Sequence, residues 1–175
     1  DGNGDDISGN YSATSTTDIG YTGLKFQPDW VWIKAREASA SHQLFDSIRG
    51  VSNVMSSEST SGQSSLAPNG LTAFNNDGFT VKDIASGGNG VNGSAGGTYS
   101  GTNAEYVAWN WKAGGAKVLN QEGGIDSQVS ANKDAGFSIV SYAGSGTGAV
   151  TVGHGLDIAP EMYIVKSLST GNWWT

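Results

Sequence analysis

The chain contains no cysteine and only three prolines in 175 residues. The missing cysteine removes thiol nucleophiles, zinc–thiolate sites and any disulfide framework together, and leaves the redox compartment open. Charge is also scarce, at 14% of residues, and leans one way: nine Lys plus Arg against sixteen Asp plus Glu give a net charge of −7 and a pI near 4.5. Sequence-independent binding to nucleic acid or to an anionic lipid surface needs the opposite balance, so neither is an expected partner. Long hydrophobic runs are lacking too. Trp30-Val31-Trp32-Ile33 stops far short of the roughly twenty residues a spanning helix needs, and the chain opens on Asp1-Gly2-Asn3-Gly4-Asp5-Asp6 rather than on a leader pattern.

Glycine is plentiful, with 27 residues, and Ser, Thr and Asn accompany it. Little is left of the Glu, Lys, Ala and Leu from which surface helices are built, so short strands joined by turns are expected. Six Trp, six Tyr and five Phe supply large apolar surface. At this length that is enough for a packed core without a metal or disulfide staple, and disorder is not expected.

Apolar residues alternate with period two. Trp30-Val31-Trp32-Ile33-Lys34 places Trp30 and Trp32 on one face of a strand and Val31 and Ile33 on the other. Both faces are apolar, which predicts a central strand. Pro28-Asp29 before it is a turn, and Leu24-Lys25-Phe26 reads as the end of an earlier strand. Tyr106-Val107-Ala108-Trp109-Asn110-Trp111 repeats the pattern, with Val107, Trp109 and Trp111 on one face. Leu71-Thr72-Ala73-Phe74 and Phe79-Thr80-Val81 flank the hairpin turn Asn76-Asp77-Gly78. Residues 137–142 form a further strand. A helical piece is conceivable over 42–51, without an amphipathic repeat to support it. Two long loops remain, Ser-rich over 56–69 and Gly-rich over 86–103; loops of this length tend to be functional or variable.

Sliding the chain against itself exposes an internal repeat. Gly23-Leu24-Lys25-Phe26-Gln27-Pro28-Asp29-Trp30-Val31-Trp32-Ile33-Lys34 aligns without gaps on Gly155-Leu156-Asp157-Ile158-Ala159-Pro160-Glu161-Met162-Tyr163-Ile164-Val165-Lys166, an offset of 132 residues. Turn residues match as well as apolar ones, which shared strand propensity does not explain. The expected organisation is an N-terminal linker or first strand over 1–19, a first β module over 20–115, a linker over 116–135, and the start of a second copy over 136–175 that stops mid-strand. The fold class expected is all-β, with antiparallel β-sandwich modules of jelly-roll or lectin-like type in tandem.

Catalytic patterns are sparse. The two histidines, His42 and His154, accompany no Gly-x-Ser-x-Gly elbow, since Ser145 is flanked directly by Gly144 and Gly146. His154 occupies a turn position that the first copy fills with Thr22, which reads as structural. Glycoside cleavage needs two carboxylates across a cleft; Glu37, Asp46, Glu58 and Glu105 are available, and their spacing does not set them apart from ordinary surface acids. Gly88-Asn89-Gly90-Val91-Asn92-Gly93 matches a dinucleotide pattern but lacks the helix that would present its N-terminus to a pyrophosphate. Asp1 to Asp6 space oxygens as calcium loops do, yet Ser12 stands where such a loop wants Glu, and a solvated tail is expected. No catalytic, cofactor or metal residue is assigned, and an enzyme is not expected. The six tryptophans, Trp30, Trp32, Trp109, Trp111, Trp173 and Trp174, suit a sugar-stacking platform. Alternation among Val and Ile instead predicts core positions, with Trp32 and Trp109 largely buried.

Four ordered motifs carry a family resemblance: residues 24–36, the segment His42-Gln43-Leu44-Phe45-Asp46-Ser47-Ile48-Arg49-Gly50, residues 71–80, and residues 106–115. Together they resemble a module common in structural and tail-fibre-like proteins of marine bacteriophages, including cyanophages, where tandem copies are usual. The resemblance implies a virion or extracellular location and a non-catalytic structural or host-attachment role. Partners would be other virion proteins or copies of the chain as a homo-oligomer, with a host surface glycan as a further one. Asp46 and Arg49 are expected to form an ion pair that fixes their turn. The loops 56–69 and 86–103 are expected to be the exposed, variable face. An extracellular carbohydrate-binding module, or a self-assembling filament or capsid-decoration subunit, are the competing roles.

Overall fold

The structure, a computed structural model, describes residues 19–36, 40–82, 91–92, 105–169, 171 and 173–174. Every regular element among them is a strand: β1 (Ile19–Thr22), β2 (Trp30–Ala35), β3 (Gln43–Asp46), β4 (Asn53–Ser56), β5 (Ser64–Ser65), β6 (Gly70–Asn75), β7 (Gly78–Lys82), β8 (Tyr106–Trp111), β9 (Val118–Asn120), β10 (Ser127–Asn132), β11 (Phe137–Tyr142), β12 (Val165–Lys166) and β13 (Trp173–Trp174). All strand pairs are antiparallel.

Two sheets share one core. A five-stranded sheet runs β5-β4-β3-β2-β8 and faces a three-stranded sheet β1-β7-β6. Val31, Ile33, Phe45 and Val54 from the first meet Leu71, Phe79 and Val81 from the second, and Val91 joins them. This is a two-layer antiparallel sandwich. Strand β2 is central, as expected, with β3 on one edge and β8 on the other.

Which face of β2 is buried reverses the expectation. Val31, Ile33 and Ala35 form the core face, while Trp30 and Trp32 are half-buried on the outer one. The same holds for β8: Ala108 and Tyr106 pack against the core, and Trp109 is 44% exposed. The core between the two sheets is filled by aliphatic and phenyl side chains, Phe45, Leu71 and Phe79 among them, and an indole ring is seldom fully buried.

Other local expectations are also corrected. Leu24-Lys25-Phe26 lies in bends after β1 rather than at a strand end, because the Asp77 carboxylate accepts the amides of Gly23 and Lys25 and curls the chain there. Residues 42–51 are strand β3 and a turn, not a helix. Asp46 accepts the amide of Arg49 at 2.8 Å through its side chain and that of Gly50 at 3.1 Å through its carbonyl.

Residues 116–135, expected as a linker, carry β9 and β10, and residues 137–142 pair with β10 in a third sheet ordered β11-β10-β9. This sheet is seated on the first. Ser130 Oγ donates to Gly115 O at 2.8 Å, Lys117 Nζ donates to Ile48 O at 3.0 Å, and Phe137 stacks on Trp30. The Pro28-Asp29 turn has a specific task here. Asp29 is buried, and its Oδ2 accepts the amides of Ala113 at 2.8 Å and Gly115 at 3.3 Å, which steers the chain out of β8 toward the third sheet.

The backbone follows the 132-residue offset only in part. Gly23 and Gly155, equivalent at the 132-residue offset, both have left-handed φ, +99° and +71°, a region that favours glycine. Strands β12 and β13 pair antiparallel as β2 and β3 do. The registers differ by one: Ile33 faces Gln43, whereas the equivalent Val165 faces Trp174. Ile158, Met162 and Tyr163, in the stretch leading to β12, are well exposed.

Candidate functional site

On the outer face of the five-stranded sheet, side chains fall into rows because directly opposed residues share a face. Register places Met55, Leu44, Trp32 and Trp109 opposite one another across β4, β3, β2 and β8. A neighbouring row holds Asp46, Trp30 and Trp111. A third pairs Lys34 with Val107.

The rows differ in cover. Phe137 of β11 lies parallel to Trp30, with centroids 5.7 Å apart and planes at 13°, and reaches Trp111 at 6.4 Å. Trp30 and Trp111 are themselves 5.1 Å apart. That end of the face is therefore the seat of the third sheet. The Trp32 row opens only toward β8: Leu44 is buried and Trp32 half-buried, whereas Trp109 meets Trp32 edge-on, at 5.8 Å and 67°, and keeps 44% of its surface in solvent.

Trp32 is held in place by polar contacts. Its indole Nε1 donates to His42 Nδ1 at 2.9 Å, and the His42 ring stands edge-on to it at 5.6 Å. With Nδ1 accepting, the neutral imidazole carries its proton on Nε2. Glu58 in turn accepts the His42 amide at 3.2 Å. Burial pushes the Glu58 carboxyl up, but hydrogen bonds from Ser41 and from the backbone amides of Glu58 and His42, with the charge of the His42 ring when it is protonated, outweigh it and hold it below the ordinary carboxylate range.

The three described carboxylates among those nominated for glycoside cleavage, Asp46, Glu58 and Glu105, have separate partners. Asp46 forms the expected ion pair with Arg49, nearly buried, and Arg49 also donates to Leu44 O at 3.0 Å. Glu105 pairs with Arg36 on the surface, Glu58 serves His42, and Glu37 lies outside the described residues. His154 accepts the amide of Leu156 at 3.1 Å within its own turn. Asp1 to Asp6 also fall outside the description. Of residues 86–103 only Val91 and Asn92 are described, and both are buried. The 56–69 loop is not a free tip either, since Gln63 N donates to Leu168 O and Leu66 N to Ser52 O, each at 2.8 Å.

Sequence reasoning named Trp32 and Trp109 but placed them inside. It missed Leu44, Met55 and Phe137 as members of the same face. The available signal was that both aromatic strands carry Val, Ile or Ala on the opposite face, which are better fillers of a thin sandwich core.

The chain belongs to a family described as a domain of unknown function, DUF7483, whose model matches residues 7–175. No curated protein and no solved structure is significantly similar to it.

Proposed function

We propose that the chain is a non-catalytic attachment module of a virion surface, tail-fibre-like in role, that recognises a glycan through the open aromatic face of its five-stranded sheet. One observation carries the recognition: Trp109, on the edge strand β8 beside β2, is 44% exposed and set edge-on against Trp32. Leaving a ring of this size in water forgoes its burial energy, and a rigid indole on a strand gives up little conformational freedom on binding. The apolar face of a pyranose stacks on such a ring, while the His42 imidazole beside Trp32 offers its Nε2–H as a hydrogen-bonding group. A net charge of −7 disfavours polyanionic chains, so a neutral glycan is the fitting class. The virion setting rests on the motif resemblance, and the partners in that setting are other virion proteins or further copies of the chain.

Titration with a panel of neutral and anionic polysaccharides, followed by calorimetry, tests the recognition. Binding of a neutral glycan by the wild type that is lost in both Trp109→Ala and Trp32→Ala, with the far-UV spectrum retained, is the expected result. Equal binding by Trp109→Ala and wild type would overturn it. Placing the chain in density of an intact particle tests the setting.

A further inference from the structure

We infer that the 59–63 loop of the sandwich is a socket for the turn of the repeated hairpin, and that this backbone contact is the joint by which one repeat holds the next. Between β12 and β13, Leu168, Ser169 and Gly171 lie against the loop. Gln63 N donates to Leu168 O at 2.8 Å, and Gly171 N donates to Thr60 O at 3.0 Å. Lys166 Nζ, at the base of the turn, reaches Thr60 O at 3.4 Å while also bonding Gly171 O at 2.7 Å. These bonds run in both directions between two main chains, which is what a formed joint requires and a chance surface touch lacks.

Gly62 marks the closeness of the fit. A Cβ at this position would fall inside the contact shells of Ser169 O and Leu168 O, both main-chain atoms that cannot rotate away. Gly62 does not have left-handed φ. Its backbone is therefore open to any residue, and the approach of the hairpin is the reason a side chain cannot be tolerated.

The plug is part of the repeat itself. At the 132-residue offset, β12 falls on Ile33 and Lys34 at the end of β2, so the segment in the socket corresponds to the residues that follow β2. Socket and plug are thus different parts of one repeating unit. Such a head-to-tail contact does not close on itself but propagates, and successive repeats are set at one fixed rotation. The Ser-rich loop is on this view a coupling, and not a receptor-binding tip.

The absence of native cysteine makes the test direct. Val51→Cys and Met162→Cys, both at exposed positions, place one nitroxide on the sandwich and one ahead of the hairpin in the 175-residue chain. Pulsed dipolar spectroscopy is expected to give one narrow distance distribution, with slowed amide exchange at Gln63 and Gly171. Gly62→Ala should broaden the distribution and speed exchange at both amides at least tenfold, while Ser61→Ala leaves both unchanged. Lys166→Met, outside the sandwich, should broaden the distribution in the same sense with the thermal transition of the sandwich retained. A broad distribution in the parent, or a narrow one in both Gly62→Ala and Lys166→Met, would overturn the joint.

Discussion

Truncating Trp109 to alanine separates a ring that fills the core from a ring that is displayed. Trp109 is 44% exposed, whereas Phe45 on the opposite face of the same sheet is 0% exposed. The covered part of the indole is on the order of 100 Å², worth roughly 2.5 kcal/mol at ~25 cal/mol per Å². That figure is an upper bound, since the unfolded chain already shields some of the ring. The gap left behind opens onto solvent, so no cavity cost is added, and we expect a loss of about 1.5–2.5 kcal/mol. Phe45→Ala leaves an enclosed hole and should cost about 3–5 kcal/mol. Urea unfolding followed by far-UV circular dichroism, with equal m-values required of both variants, compares the two directly. A Trp109→Ala cost equal to or above that of Phe45→Ala would mean the ring is a core element, and the reading of the outer face would fall.

Further outcomes follow from the polar contacts. Arg49→Met strands the Asp46 carboxylate in a nearly buried turn and should cost about 3–5 kcal/mol in the same urea assay; the double variant Asp46→Leu/Arg49→Met should recover part of it. Asp29→Ala removes the acceptor for two amides at the exit of β8 and should cost about 1–3 kcal/mol, with exchange at Ala113 and Gly115 accelerated in step. Glu58 has its pKa lowered in the folded chain, so its tie to His42 is fully present above the ordinary value of 4.5 and is lost as pH falls through the lower folded value. The His42 amide resonance should therefore move in that acidic window, and Glu58→Gln should abolish the movement.

Five strands were legible from residues alone: β2, β6, β7, β8 and β11 stand where apolar stretches place them, although β6 carries an irregularity between Leu71 and Ala73, and Asn76-Asp77-Gly78 sits at the expected hairpin. The class followed from composition. What could not be read was which side of β2 and β8 faces inward, because both sides are apolar and the heavier side chains suggest the core. Geometry decides otherwise, since Val31, Ile33 and Ala108 fit the thin interior. Strands β9 and β10 were hidden by polarity: Ser127 and Ser130 are buried with their hydroxyls donated to Gly153 O and Gly115 O, so a buried face reads as a linker. Phe137 gave a strand signal, but its position over Trp30, 107 residues away in sequence, depends on how the third sheet turns back at Asp29.

Along β2, core and display residues alternate one by one: Trp32 stands between Val31 and Ile33. Inserting or deleting a single residue between Trp30 and Ala35 would exchange the two faces, drive the indoles into the interior and turn the aliphatic residues outward. The length of this strand is thus locked by the core, although the identity of its outer side chains is not. Descendants of such a surface can change what they recognise by substitution at the outward positions, and are barred from doing so by changes in length.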